Sequence, residues 1–144
     1  MLEAFDKALD FVIHYIQHKL KKYAYVQECK GAVKDEMDKG GVCLYFNQSM
    51  PWLEPFFEMG GELHPAQFIL MPTGEHWKLR AIPPSYKERM RTRKPLPEKW
   101  AGLLENDLKK ASNISGAIFC HKGRFISIWE TREDALTALK EALK

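Results

Sequence analysis

Residues 67–82, with the sequence QFILMPTGEHWKLRAI, predict a β-hairpin. The apolar run at its start is typical of a strand, and PTGE at 72–75 is typical of a turn. After the turn, Trp77, Leu79 and Ala81 alternate with polar residues, as they do in a strand that buries one face. We therefore expect a β-sheet that contains these two antiparallel strands.

A second hairpin and two helices surround this element in the sequence. Apolar runs at 117–121 and 125–129 flank a short Lys-Gly-Arg turn, and VCLYF at 42–46 predicts one more short strand. Apolar residues at helical spacing predict a long helix over residues 3–25. Thr131, which is followed by an acid three positions later, has the capping pattern that begins a last helix.

Together these elements predict the fold class α+β, organised as a single domain over residues 1–144. The sheet is expected to be mostly antiparallel, built from two hairpins plus a short strand, and flanked by a long N-terminal helix and a C-terminal helix. Within the domain, residues 1–41 are expected to form a helical lead-in and residues 42–144 the α+β unit.

The composition excludes several classes of protein. Hydrophobic residues make up 45% and charged residues 28% of the chain, a mixture typical of globular domains. No apolar run approaches the ~18–20 residues of a membrane span, and the first residues lack a basic secretory leader. The three cysteines form no Cys-x-x-Cys pair, so we expect reduced thiols. These features predict a cytoplasmic protein with no membrane partner.

The positive charge is concentrated in one short segment. The net charge is +3, and residues 87–94 carry five cations against one anion. Four of those cations, Arg89, Arg91, Arg93 and Lys94, lie between prolines that limit the freedom of the backbone. Such a segment attracts phosphate, although a plain solvated loop has the same composition.

A second basic group lies next to the last predicted helix. His121 and Arg124 flank the turn of the second hairpin, and Thr131 and Arg132 open the helix. A helix N-terminus offers unpaired N–H groups and a partial positive charge, so these residues are candidates for an anion site. The alternative is that Thr131 only caps the helix, while Arg132 is solvated and His121 is half-buried at a strand end.

Motifs for autonomous catalysis are not found. The sequence has no phosphate-binding P-loop, no Gly-x-Gly-x-x-Gly and no Gly-x-Ser-x-Gly. His14 and His18 share a helix face at metal-ligand spacing, but no third ligand lies near them in the sequence. We therefore assign no catalytic residue and no metal ligand in this chain.

Several segments of the chain match the motifs of a known protein family, in the same order along the sequence. RKPLPEKWAGL at 93–103 and SNISGAIFCH at 112–121 precede Phe-Ile at 125–126 and Thr-Arg-Glu at 131–133, and Pro-Trp stands at 51–52. These segments resemble RKPLPEPWRGL, SGIPGCIFVH, GFIGG-x-x-TREGAL and a Pro-Trp pair of the melanocyte-proliferating-gene (Myg) family.

The resemblance covers about residues 50–143, and residues 1–49 resemble the connecting helix of the family less closely. It implies a two-part protein whose N-terminal half is a DHH-type phosphoesterase domain, described as a metal-dependent hydrolase or exonuclease acting on RNA. The metal-ligand motifs of that half are absent here, so this chain corresponds to the C-terminal, substrate-holding half. A divalent metal is implied for the missing catalytic domain alone; this chain is expected to hold no cofactor and to show no activity by itself.

One departure from the family pattern bears on ligand binding. The Gly-Gly pair that follows Phe-Ile in the family is Ser127-Ile128 here. Glycines at such a place allow the backbone to approach a ligand closely, and serine and isoleucine restrict that approach.

Three hypotheses follow. The first is a non-catalytic, substrate-engaging domain that binds phosphate, RNA or a nucleotide, with its cations converging on one positively charged hollow. The second is an interaction module whose helix at 3–25 docks on a separate DHH catalytic domain or on a second copy, as a homodimer. The third is a fragment of a full-length metal-dependent exonuclease. The residues assigned to phosphate or nucleic acid are His121, Arg124, Thr131, Arg132, Arg89, Arg91, Arg93 and Lys94.

Overall fold

The computed structural model describes all of residues 1–144 and contains one five-stranded sheet. The strands lie in the order β1-β2-β3-β5-β4. Numbered along the chain, they are β1 (Cys43–Tyr45), β2 (Phe68–Thr73), β3 (His76–Ala81), β4 (Ala117–Cys120) and β5 (Ile126–Trp129).

Four α-helices accompany the sheet, together with short 3₁₀ turns at Gly61–Leu63 and Glu98–Trp100. None of these helices combines the length and the apolar character that a membrane span requires. The helices are α1 (Leu2–Asp38), α2 (Leu53–Glu58), α3 (Glu105–Ser112) and α4 (Arg132–Leu143).

The strand pairing confirms the α+β class and both hairpins. β2 pairs antiparallel with β3 up to Thr73 and His76, so the turn is the two residues Gly74 and Glu75. β4 and β5 pair antiparallel, as do β3 and β5. β1 runs parallel to β2, which makes the sheet mixed. The connection from β1 to β2 contains α2, and a parallel pair needs a crossover of this kind.

Different helices pack against the two faces of the sheet. Phe68 and Leu70 of β2 belong to a core that also contains buried residues of α3 and α4, with Trp100 and Trp129 packed edge-on at a centroid distance of 5.4 Å. Ile69 of β2 faces the other way, into a second core built from the end of α1 and from α2. The alternation along β2 therefore separates the molecule into two apolar layers.

The N-terminal helix extends through most of the expected helical lead-in and is mostly uncovered. α1 continues without a break to Asp38, and only Cys29, Val33 and Met37 within it are buried. Every residue from 1 to 25 is exposed. The end of α1 thus anchors the helix on the second core, and its first two thirds extend away from the sheet.

Candidate functional site

The N-terminus of α4 is capped by the chain itself. Thr131 Oγ1 accepts a hydrogen bond from the backbone N–H of Asp134 at 3.1 Å and donates one to the Asp134 carboxylate at 2.8 Å. The carboxylate supplies the negative charge that a helix N-terminus favours. Arg132 lies over the ring of Trp77, with its Cζ 5.9 Å from the centroid.

His121 and Arg124 lie at the other end of β5, in the turn from β4. The ring of His121 packs against that of Phe125 at a centroid distance of 4.4 Å and a tilt of 49°, and its Nδ1 accepts a hydrogen bond from the backbone N–H of Gly123 at 2.8 Å. Arg124 Nε donates to the carbonyl of Leu96 at 2.7 Å. Arg124 thus joins the hairpin turn to the proline-bounded segment.

The basic segment 87–94 uses most of its charges within the molecule. Arg93 donates hydrogen bonds to four backbone carbonyls, and Lys94 Nζ donates to the carbonyl of Leu143 at the end of α4 at 3.1 Å. Arg91 pairs with Glu88 at 2.7 Å. Arg89 forms no ion pair, and its guanidinium lies over the ring of Tyr86, 4.9 Å from the centroid.

The structure does not bring the predicted cations together in one hollow. Arg124 precedes β5 and Arg132 follows it, so the strand separates them. Lys94 reaches the C-terminal end of α4, whereas Arg132 opens its N-terminal end. A helix of that length spans roughly 18 Å at a rise of about 1.5 Å per residue. The expectation that these groups converge is therefore wrong, because β5 and α4 space them apart; the individual roles of the eight residues remain predictions.

A different pair of cations lies half-buried on the sheet. Lys78 and Arg80 lie two residues apart on β3 and therefore point to the same face of the sheet. Both are half-buried, and neither forms an ion pair or a hydrogen bond through its side chain. The Nε of Arg80 is buried without any partner.

The surroundings of this pair disfavour its positive charges. Burial lowers the pKa of Lys78, and the positive charge of Arg80 lowers it further. Burial alone lowers the pKa of Arg80. A nearby carboxylate would raise both values, so an anion that bound here would relieve an existing electrostatic cost.

The pair lines a shallow hollow of about 330 Å³. The guanidinium of Arg80 lies 5.3 Å from the ring centroid of the buried Trp52, a cation–π distance. Tyr86, on which Arg89 stacks, lines the same hollow and connects it to the basic segment. The lining residues are Met50, Pro51, Trp52, Leu53, Glu54, Lys78, Arg80 and Tyr86.

An open apolar surface continues from the hollow across the sheet. In the register, Lys78 lies opposite Ile128, and Ile128 lies opposite Phe119. Ile128 and Phe119 are only half-buried, and they share the face of Lys78 because directly paired residues do. His121 packs edge-on against Phe119 at 6.2 Å. The cations on β3 and Phe119 on β4 thus lie about 10 Å apart, two strand spacings.

Sequence reasoning missed Lys78 and Arg80 because it treated them as the solvated face of a strand. The sequence signal for this site was a pair of cations at positions i and i+2 of one strand, with no acidic residue between them and none in the neighbouring strand of the predicted hairpin. The two residues that stand where the family pattern has glycines lie on opposite faces of the sheet. Ser127 is buried on the opposite face, where its Oγ accepts a hydrogen bond from Trp129 Nε1 at 2.8 Å, and Ile128 contributes to the open surface.

The chain offers no ligand set for the divalent metal that the resemblance implies. No group of three or more His, Cys, Asp or Glu side chains comes together. Burial raises the pKa of the Cys43 thiol to about 12 and that of Cys120 to about 11, so both are neutral at physiological pH. No step of a reaction is therefore assigned to a metal cluster of this chain or to these two thiols.

Comparison with known proteins identifies relatives over the whole chain. The model of the uncharacterised protein family UPF0160, the MYG1 exonuclease model, matches residues 1–143. The chain is 46% identical to the MYG1 protein of Chlamydia pneumoniae over 140 residues, which cover 97% of this chain and 48% of that protein. It is 33% identical to a MYG1 protein of Caenorhabditis elegans over 156 residues, which cover 99% of this chain and 46% of that protein.

The human relative carries a functional name. The protein named MYG1 exonuclease in Homo sapiens is 30% identical over 152 residues, covering 96% of this chain and 40% of that protein. The chain thus spans less than half the length of these relatives. No solved structure matches it significantly.

Proposed function

The chain belongs to the MYG1 exonuclease family UPF0160, and we propose that it is a substrate-engaging domain that binds single-stranded nucleic acid without hydrolysing it. The observation that carries this proposal is the uncompensated pair Lys78 and Arg80, with the buried Nε of Arg80 lacking a partner. A phosphate group would supply acceptors to both side chains.

The geometry favours an extended anion with attached bases over a simple ion. Lys78 and Arg80 provide point charge and guanidinium contacts to phosphate. Across the sheet, Phe119 and His121 provide ring faces and edges of the kind on which unpaired bases stack. A charged strand beside aromatic rings on one open sheet face therefore fits single-stranded RNA or DNA.

The name of the human relative supports this class of ligand, since an exonuclease acts on nucleic acid ends. In the proposal, the hydrolytic groups come from outside the 144 residues, because no cluster of metal-ligating side chains forms here and the thiols of Cys43 and Cys120 are neutral. Such a domain holds the substrate by charge and stacking, and its contribution to the reaction is orientation.

The test is the binding of a fluorescein-labelled single-stranded RNA of 12 nucleotides, followed by anisotropy at low salt. We expect the double variant Lys78→Gln, Arg80→Gln to bind at least tenfold more weakly. It should also have a salt slope lower by about one to two, since each phosphate contact releases about one counterion. Far-UV circular dichroism verifies that the variants fold. If the double variant unfolds, the single variant Lys78→Gln replaces it in the binding assay.

The matched control is Lys109→Gln, Lys110→Gln on α3, which removes the same charge from exposed positions outside the open sheet face. This control should retain the affinity and the salt slope of the wild-type chain. An absence of RNA binding by the wild-type chain at low salt contradicts the proposal. An equal loss of RNA affinity in the control variant also contradicts the proposal, because the effect would then depend on net charge alone.

A further inference from the structure

The first two thirds of α1 carry an apolar stripe that nothing in the chain covers. Its side chains are exposed to between 43% and 81%, the least being Ile13 and the greatest Leu2. Residues 1–25 make a rod about 37 Å long at a rise of about 1.5 Å per residue. The stripe consists of Leu2, Phe5, Leu9, Val12, Ile13, Ile16, Leu20 and Tyr23.

A helix with this exposure requires a partner surface. Contiguous apolar patches of this extent are rare on monomers and mark interaction sites. Burying eight such side chains removes roughly 60–100 Å² each from water, on the order of 500–800 Å² per chain. The upper value matches the ~800 Å² per partner of a standard stable interface.

The spacing of the stripe is the same when it is read in either direction. The steps between successive positions are three, four, three, one, three, four and three residues, so Leu2 mirrors Tyr23 and Leu9 mirrors Ile16. The centre lies between Val12 and Ile13. In an antiparallel pair with a two-fold axis through this centre, each apolar side chain of the stripe therefore lies at the height of an apolar side chain of the partner.

The charges on α1 select the antiparallel arrangement. Residues 1–12 contain Glu3, Asp6, Asp10 and Lys7, a net charge of −2, and residues 13–24 contain Lys19, Lys21 and Lys22, a net charge of +3. Antiparallel pairing puts the acidic end of one helix beside the basic end of the other. Parallel pairing would put like charges side by side.

We propose that α1 pairs with α1 of a second copy of this chain, antiparallel, about a two-fold axis that passes between Val12 and Ile13. At this register Leu9 lies at the height of the partner's Ile16, and Phe5 at the height of the partner's Leu20. The anchored end of α1 begins at Cys29, so the two sheets are held roughly 50 Å apart along the paired helices. The open sheet faces stay free, and the dimer does not depend on the proposed nucleic-acid function.

The oligomeric state is tested on the full 144-residue chain by light scattering coupled to size exclusion, from 5 to 200 µM. The 16.7 kDa chain is expected to elute as a dimer. Leu9→Asp should raise the dimer dissociation constant at least tenfold, and Ile16→Asp should do the same. Phe11→Asp is the matched control, because Phe11 is 72% exposed on α1 but lies about 150° from the centre of the stripe, at about 100° per residue.

The orientation is tested by disulfide formation with copper phenanthroline on non-reducing gels. Val12→Cys lies beside the axis and should cross-link with itself, whereas the two copies of Leu2→Cys lie roughly 31 Å apart and should not. The wild-type chain, whose three cysteines are buried, gives the background. A parallel dimer would cross-link through both positions and would overturn the proposal.

Other occupants of the stripe have their own signatures. A wild-type chain that stays monomeric at 200 µM overturns the second copy as the partner. A monomer that sediments with anionic lipid vesicles assigns the stripe to a lipid surface instead. A dimer that Leu9→Asp and Ile16→Asp leave intact places the interface elsewhere, and circular dichroism confirms that α1 still forms in each variant.

Discussion

Replacing Arg93 with methionine is expected to destabilise the fold, although the sequence alone had suggested a phosphate ligand. The guanidinium donates from Nε to Pro83 at 3.0 Å, from Nη1 to His64 at 2.7 Å and to Ala66 at 2.8 Å, and from Nη2 to Gly61 at 2.6 Å. All four acceptors are backbone carbonyls outside the α-helices and β-strands, and that of Gly61 also accepts the backbone N–H of His64 in a 3₁₀ turn. Arg93 therefore holds together segments about 30 positions apart in the sequence.

The magnitude follows from the number of bonds and their exposure. A typical intramolecular hydrogen bond contributes about 1 kcal/mol net, so four give about 4 kcal/mol. Arg93 is half-buried, and water can reach part of the freed carbonyls, which reduces the expected loss to about 2–3 kcal/mol. At a urea m-value of about 2 kcal/mol/M, the midpoint should fall by about 1–1.5 M.

The assay is equilibrium urea unfolding followed by tryptophan fluorescence and far-UV circular dichroism. Arg91→Met is the control in the same segment, because Arg91 is exposed and its pair with Glu88 is expected to contribute about 0–1 kcal/mol. Arg93→Lys should also lose most of the stabilisation that Arg93 provides, because an ammonium cannot reproduce the planar fork of donors of a guanidinium.

The reasoning is refuted if Arg93→Met and Arg91→Met unfold at the same urea concentration with unchanged m-values. In that case the four carbonyls would have no net need of the guanidinium. The phosphate-binding role that the sequence suggested for Arg93 would then again be the favoured interpretation.

Two further predictions concern packing and thiol chemistry. Gly116→Ala should destabilise the fold by about 1–3 kcal/mol in urea unfolding, because an added Cβ would lie 1.8 Å from the Asp134 carboxylate. Gly31→Ala, with nothing within 4 Å of its Cβ, should be neutral or stabilising, and a larger loss for Gly31→Ala than for Gly116→Ala would contradict the packing argument. Iodoacetamide at pH 8 should leave Cys43 and Cys120 unmodified in the folded chain, since burial raises their pKa values to about 12 and about 11. Peptide mass spectrometry should find both alkylated after unfolding in urea, and equal labelling of the folded chain would show that these thiols are accessible.

Local patterns determined a large part of the fold. Alternation and turn chemistry at 67–82 and 117–129 predicted both hairpins, and the pattern from Thr131 to Asp134 predicted a cap that the structure contains. Each of these signals depends on residues within a few positions of one another. The parallel pairing of β1 with β2 was not predictable in this way, because it joins strands that are more than 20 residues apart.

The site was determined by distant contacts. The sequence supplied the cations, but Arg93 and Lys94 are taken up by carbonyls far along the chain, and Arg124 and Arg132 are spaced apart by a strand. Lys78 and Arg80 looked like ordinary strand residues until the sheet buried them without partners. The sequence by itself therefore determined which segments form hairpins and helices, and how the apolar stripe of α1 is spaced. Only the tertiary structure decided which charges stay free, because the partners of a charged side chain are set by groups that folding brings from elsewhere in the chain.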